Sequence, residues 1–307
     1  MKSPAARLRQ SLAQSAVTVA PGCYDALTAT LVERTGFSAA YLTGASIAYT
    51  RLGRPDIGLV SASEVVDVIG LIRDRCPDLP LIVDADTGFG NALNVQRTVR
   101  TFERAGASAI QLEDQVTPKR CGHLAGKKLV SIAEMVGKLK AAQDARNDPD
   151  TLIVARTDAI GVDGFEAAMD RAEAYVEAGA DVLFVEAPRD LEQMKRIAST
   201  FGSRVPLLAN MVEGGITPVN KAEVLGEMGF RLVIFPGAIA RVLIWTLEHF
   251  LADLKADGSS AGWSGRMHDF SGLNAAIGTE EMLATGRRYD EDISAAGLKA
   301  PAPTGVK

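Results

Sequence analysis

Histidine is scarce in this chain: His123, His249 and His268 are the only ones in 307 residues. That argues against a zinc site built on three histidines. Cysteine is as sparse. Cys23, Cys76 and Cys121 form an odd, widely spaced set, which excludes a disulfide framework and fits a reducing compartment. Basic charge is not in excess either. Lys and Arg number 33 against 38 Asp and Glu, a net charge of −5. A nucleic-acid partner, which needs clustered cations to neutralise phosphates, is not expected. Long apolar runs are missing. The N-terminal stretch MKSPAARLRQSLAQSAV lacks the continuous apolar core of a signal peptide. The most apolar late stretch, 232–251, is interrupted by Pro236, Gly237, Arg241, Glu248 and His249. It reads as a poor membrane span and a good buried strand followed by a helix. The expectation is a cytoplasmic protein without a membrane partner. No G-x-G-x-x-G follows the first apolar run, which sets aside an open dinucleotide-binding sheet.

What the chain does have is an alternation of apolar strand, polar loop and amphipathic helix. Strands are expected at 17–20, 39–43, 79–85, 109–113, 152–156, 182–186, 206–210 and 231–235. Most are near-continuous apolar runs, the mark of parallel strands buried on both faces. Helical periodicity falls between them, at 63–75, 94–104, 131–146 and 164–178. Gly36, Gly106, Gly179 and Gly229 stand just before the next strand, where a helix closes through a left-handed residue. Eight such units without a domain-sized linker predict an α/β fold, a (β/α)₈ TIM barrel, which typically needs about 250 residues. The barrel is assigned to 1–256. A C-terminal helical extension and tail occupy 257–307, with a flexible joint at 257–262, a helix near 279–288 and a frayed end at 301–307. The extension reads as a solvated appendage or as an arm packed on a neighbouring subunit.

Catalytic groups of such barrels sit at the C-terminal ends of strands. Here five consecutive strands end in acids, Arg or Asn, including Asp84-Ala85-Asp86, Glu113, Arg156, Glu186 and Asn210. Asp84 and Asp86, two apart on a strand, are expected to face the same way. With Glu113 on the next strand they would repel unless a hard cation joined them, and an all-oxygen set suits Mg²⁺ or Mn²⁺. The alternative for one of the two is a helix cap. After the fourth strand comes Lys119-Arg120-Cys121-Gly122-His123. Cationic neighbours there are expected to stabilise a Cys121 thiolate, whereas Cys23 and Cys76 have no such company.

These residues resemble the isocitrate lyase/phosphoenolpyruvate mutase superfamily over nearly the full chain, from Pro21-Gly22 through Arg241. The most specific matches are Val83-Asp84-Ala85-Asp86-Thr87-Gly88-Phe89-Gly90, 110–115 with Lys119-Arg120-Cys121-Gly122-His123, and Ala155-Arg156-Thr157-Asp158-Ala159. The resemblance implies a barrel whose last helix is exchanged between subunits, giving a homotetramer as a dimer of helix-swapped dimers. It implies Mg²⁺ on Asp86, with Asp84 and Glu113 reaching it through water and Asp56 nearby. It implies Cys121 as the general acid, supported by Lys119 and His123. Tyr41, Thr43, Gly44 and Ala45 would hold the keto or hydroxy carboxylate; Arg156, Glu186, Asn210 and Arg241 would take the other end of the substrate. The base at the substrate hydroxyl is left open between Tyr41 and a water at the cation. The implied reaction is carbon–carbon cleavage of a 2-hydroxy di- or tricarboxylate to pyruvate and a carboxylate. Val212 and Gly214 lean towards a 2-alkylmalate such as 2,3-dimethylmalate, while Phe235 to Arg241 leans towards 2-methylisocitrate. Oxaloacetate hydrolysis or decarboxylation and carboxyphosphoenolpyruvate mutase chemistry are the further alternatives.

Overall fold

The computed structural model describes residues 2–218 and 220–295, so the tail expected to fray at 301–307 lies outside the described residues. All eight expected strands form: β1 (Thr18–Cys23), β2 (Ala40–Leu42), β3 (Leu81–Asp84), β4 (Ala109–Glu113), β5 (Leu152–Thr157), β6 (Val182–Val185), β7 (Leu207–Asn210) and β8 (Leu232–Phe235). Each pairs in parallel with the next. β8 returns to β1 with Thr18 opposite Leu232 and Pro21 opposite Phe235, which closes the barrel.

The continuous apolar runs are explained by burial on both faces. Tyr41, Ile82, Val154, Phe184, Leu208 and Ile234 fill the interior. Their strand neighbours Leu42, Val83, Ile153, Leu183 and Val233 pack under the helices. The helices begin where capping chemistry directs. Ser61 and Glu64 close a reciprocal box on Ala62–Arg75, with the Glu64 carboxylate accepting from the Ser61 N–H at 2.8 Å. They end where glycine was expected: Gly36, Gly106, Gly179 and Gly229 all lie at φ between 91° and 115°.

The barrel is plugged at the end away from the polar residues. An N-terminal helix, Pro4–Leu12, buries Leu8 and Leu12 among the interior side chains. Each contributes about 1.5–3 kcal/mol by leaving water. After β8 the helix Ala238–Asp257 follows, as expected of the 232–251 stretch. A second compact unit begins at Trp245. Within it, Trp263 packs edge-on to Phe250 at 5.6 Å and donates to Asp253 at 2.8 Å. The helix expected at 279–288 forms as Thr279–Ala295. A further helix, Phe270–Ile277, was not anticipated; Asp269 caps it and Gly278 ends it, a signal that its short length obscured. Among the described residues no helix is long and apolar enough to cross a membrane.

Candidate active site

At the C-terminal ends of the strands lies a cavity partly open to solvent. Tyr41, Thr43 and Ala45 line it from β2 and the turn beyond. Asp56, Asp84, Lys119, Cys121 and His123 line it from loops and β3, and Arg156, Glu186, Asn210 and Arg241 from β5 to the start of the last barrel helix. Asp86 and Glu113 stand one contact behind: Lys119 Nζ lies 2.8 Å from Asp86 Oδ1, and Arg156 Nε lies 3.3 Å from Glu113 Oε2. Gly44 is adjacent, since a Cβ there would sit 3.5 Å from Asp84 Oδ2 and 3.6 Å from Asp86 Oδ1. The sequence-predicted residues therefore converge on one place.

The reason Asp84 and Asp86 converge differs from the expected one. β3 ends at Asp84, so strand alternation does not reach Asp86. Instead Asp86 takes a left-handed backbone at φ 46°, sparsely populated for a residue with a Cβ, and its N–H donates to Asp84 Oδ1 at 3.2 Å. The turn folds the second carboxylate back beside the first. Burial raises Asp86 above the ordinary carboxylate range, with Asp84 and Asp56 adding to the effect and Lys119 opposing it. Burial likewise raises Glu113, with Arg156 opposing. Lys119 closes the group from above, 2.5 Å from Asp56 Oδ1. Burial disfavours its charge, but Asp86, Glu113, Asp56 and Asp84 outweigh this and hold it firmly protonated.

This donor set fits a hard divalent cation. Glu113 Oε1 is buried without a hydrogen-bond partner, Asp86 Oδ1 faces the Lys119 ammonium, and four carboxylates converge on that one lysine. Among the described residues no three acidic, histidine or cysteine side chains meet closely enough to ligate one ion directly.

Tyr41 is not free to act as a base. Its hydroxyl donates to Gln111 Oε1 at 2.9 Å, and the Gln111 amide in turn donates to Asp84 Oδ1 at 3.2 Å. Burial, together with Asp84, keeps the phenol protonated well beyond its usual range. Tyr41 is thereby linked to Asp84 through Gln111.

Arg156 anchors the opposite wall. It bonds Asp158 through Nε (2.9 Å) and Nη2 (3.1 Å), lies 3.2 Å from Glu186 Oε2, and stacks over the Phe184 ring. Asn210 donates to the same Glu186 oxygen at 3.0 Å. His123 accepts the Ile216 N–H at Nδ1, 3.1 Å, so its proton is on Nε2, which faces Glu186 Oε1 at 3.6 Å. Burial lowers its basicity, Glu186 partly offsetting, which agrees with a neutral ring. Arg241 stands at the rim, half-exposed and 2.7 Å from Glu213.

Cys121 rides on a lobe whose neck is pinched by backbone pairing. Val116 N–H donates to Lys128 O and Val130 N–H to Asp114 O, with Gln115 opposite Leu129. The thiolate expected from Lys119, Arg120 and His123 does not follow. Burial pushes the thiol above its usual range, Asp56 and Glu186 adding, against the His123 N–H and Arg156. The three cationic neighbours are engaged elsewhere: Lys119 with carboxylates, Arg120 with the Ala125 carbonyl, and His123 neutral. Cys121 is thus a protonated thiol at neutral pH, the state a proton donor requires.

A family model described as phosphoenolpyruvate phosphomutase matches residues 8–255. The chain belongs to the PEP mutase/isocitrate lyase superfamily. It is 45% identical to a 2,3-dimethylmalate lyase from Eubacterium barkeri, over 93% of this chain and 98% of that one. It is 48% identical to a 2-methylisocitrate lyase from Aeropyrum pernix, over 84% and 82%. A crystal structure of 2,3-dimethylmalate lyase superposes with a TM-score of 0.87 at 35% identity, covering 100% of this chain and 99% of that one. A phosphonopyruvate hydrolase solved with oxalate and Mg²⁺ superposes at 0.84 with 29% identity, over 94% and 99%.

In this superfamily member, several site residues were not singled out from sequence. Gln111 carried a faint signal, a lone amide inside the apolar run of β4. Asp158 stood in a matched motif without an assigned role and Lys127 looked like an ordinary loop residue, yet they bond to each other at 2.9 Å. Tyr49, also lining the cavity, sits on a π-helical turn, Ala48–Leu52, that apolar periodicity does not announce. Gly122 is required by proximity, since a Cβ would fall 2.4 Å from Arg156 Nη2.

Asp114 points away from the cavity, as alternation with Glu113 demands. Its carboxylate collects the Asp158 N–H (2.9 Å), Thr157 hydroxyl (2.7 Å), Tyr175 hydroxyl (2.8 Å) and Arg171 (3.2 Å). Asp114→Ala leaves a buried guanidinium and two hydroxyls without their acceptor. A loss of about 3–5 kcal/mol in unfolding free energy is expected, measured by urea titration. A change within about 0.5 kcal/mol, the range of surface substitutions, would refute the network's structural weight.

Proposed function

We propose that this protein is a divalent-metal-dependent lyase that cleaves the C2–C3 bond of a 2-hydroxy acid carrying a carboxylate on C3, releasing pyruvate or a close relative. The observation that carries the reading is a half-buried Cys121, its thiol raised above its usual range, facing the same cavity as a carboxylate cluster and an arginine. The preferred substrate is a 2-alkylmalate such as 2,3-dimethylmalate, supported by the 45% identical relative and by the apolar Val212 in the cavity wall; Gly214 is exposed and does not line the cavity. Arg241 in the cavity rim supports 2-methylisocitrate as the second reading.

Asp86 would hold Mg²⁺ or Mn²⁺, with Asp84, Glu113 and Asp56 around it. When bound, the cation supplies Lewis acidity at the substrate's C2 oxygen and neighbouring carboxylate. The residues do the rest. Thr43, Gly44 and Ala45 seat the retained carboxylate. The C2 hydroxyl gives its proton to a water in the cavity and its oxygen forms the C2=O bond; as the C2–C3 bond breaks, that bond's electron pair passes to C3 and charge spreads into the C3 carboxylate. Arg156 and Asn210 present donors where that charge grows. Cys121 then breaks its S–H bond to form the new C–H bond. Lys119 holds the carboxylates together, and neutral His123 braces the lobe against Ile216.

The apolar side chains of Ala238–Asp257 support exchange of this helix between subunits and assembly as a homotetramer. Val242, Trp245 and Leu251 are each more than half exposed in the single chain, a surface that monomers rarely keep. The barrel catalytic domain would then span 1–256 and the extension 257–307. A cytoplasmic location is supported by sparse, unpaired cysteines. The deciding experiment is pyruvate release across 2-substituted malates, 2-methylisocitrate, isocitrate and oxaloacetate, with Mg²⁺. Alkylmalates should outperform isocitrate. Turnover of oxaloacetate alone would remove the lyase reading and leave the fold and cation site intact.

A further inference from the structure

Lys127 and Lys128 look alike in sequence, as two surface lysines after a glycine. The fold separates them. Lys128 is exposed, whereas the Lys127 side chain is 2% exposed. Its Nζ serves two acceptors from different segments: the carbonyl oxygen of Gly122, in the lobe, and Asp158 Oδ1 at 2.9 Å, beyond β5. Gly161 leaves it room, since a Cβ there would sit 3.3 Å from Nζ.

Both acceptors lead to groups assigned to the reaction. The Gly122 carbonyl belongs to the same planar peptide as the His123 N–H, next to Cys121, and that N–H favours the thiolate form of Cys121. In a trans peptide the two groups point in opposite directions. Fixing the carbonyl therefore aims the N–H. A cation on the carbonyl also polarises the peptide and strengthens the N–H as a donor. On the other side, Asp158 grips Arg156 through two bonds, so the position of Lys127 is tied to that of the guanidinium.

We propose that Lys127 is a positioning residue that sets Cys121 and Arg156 together, holding the lobe down and steadying the sulfur as it gives up its proton. This rests on the reading of Cys121 as proton donor. When the S–H bond breaks and its proton goes to the substrate carbon, the electron pair stays on sulfur. The His123 N–H, backed by Lys127, then faces an anion instead of a thiol, a stronger interaction.

The test uses the full chain with Mg²⁺. Lys127→Met should lower kcat roughly 10²-fold, the cost of a misplaced reacting group, while KM changes by less than about threefold. Independently of turnover, protease nicking of the lobe should slow in the wild type when Mg²⁺ and oxalate are added, and should not slow in Lys127→Met. A variant with normal kcat, or one whose lobe is protected as in the wild type, overturns the proposal. A raised KM with unchanged kcat also overturns it, since that would make Lys127 a binding group only. Should Lys127→Met not fold, Lys127→Arg keeps Asp158 paired. Its wider head, pressed against Gly161, cannot serve both acceptors, so kcat should still fall at least about tenfold; full activity there overturns the proposal. If the wild type releases no pyruvate from any 2-hydroxy acid, the lyase reading fails, while the nicking experiment still decides whether Lys127 holds the lobe.

Discussion

Cys121→Ser is expected to lower carbon–carbon cleavage by roughly 10²–10⁴-fold, the usual range for loss of a general acid. The substitution is nearly isosteric, so packing of the lobe and the Asp56 carbonyl bond to the Cys121 N–H survive it. Serine holds its proton far more tightly than cysteine and is a poor acid towards a carbanion at neutral pH. Binding of Mg²⁺ and oxalate should be unchanged, because the carboxylates that would hold the cation lie on β3 and the turn after it, on β4 and on the loop at Asp56. The pH profile supplies a second check. An acid works in its protonated form. Burial raises the Cys121 thiol, so that form persists through neutral pH and is lost only above the usual thiol range. The wild-type rate should therefore fall on an alkaline limb above that range, and the serine variant should lack the limb. Pyruvate release by both proteins, followed against pH, measures both effects. A serine variant with near-normal rates would remove the assignment.

Asp86→Ala is expected to abolish turnover, a loss of at least about 10³-fold, corresponding to the several kcal/mol that a cation contributes to charge stabilisation. Excess chelator should do the same to the wild type, with recovery on adding Mg²⁺ or Mn²⁺. The physical cause is local. Asp86 is the carboxylate folded into the cluster by a left-handed backbone, and removing it leaves Lys119 with Asp56 as its close anionic partner. Calorimetric titration with Mg²⁺ should lose its binding signal in the variant, and the serine variant at Cys121 should keep it. Full turnover of the wild type in excess chelator would sink the metal assignment.

The strands were legible because a parallel strand buried on both faces must be apolar throughout. β4, at Ala109–Glu113, forms with the bounds read from sequence, and the other strands differ by a few residues at their ends. Helix ends were legible where chemistry is local, as at Gly106 and Gly229. The convergence of Asp84, Asp86, Glu113 and Arg156 followed from topology, since all strand ends of a closed parallel barrel share one rim. Two readings failed for a shared reason. Cys121 was judged by its sequence neighbours, and Asp84 with Asp86 by strand spacing. In the fold the charged neighbours of Cys121 turn to other partners, and the strand stops before Asp86.

By itself, then, the sequence determined which residues reach the catalytic rim and that their chemistry is carboxylate, thiol and guanidinium, because apolar periodicity dictates a barrel and the barrel dictates where polar strand ends go. Only the tertiary structure decided protonation and pairing. Whether Cys121 is thiol or thiolate, whether Tyr41 is a base or a brace on Gln111, and whether Lys127 faces water or Asp158 all depend on burial and on partners up to 70 residues away in the chain. Desolvation and Coulomb terms act through space, and no spacing along the chain encodes them.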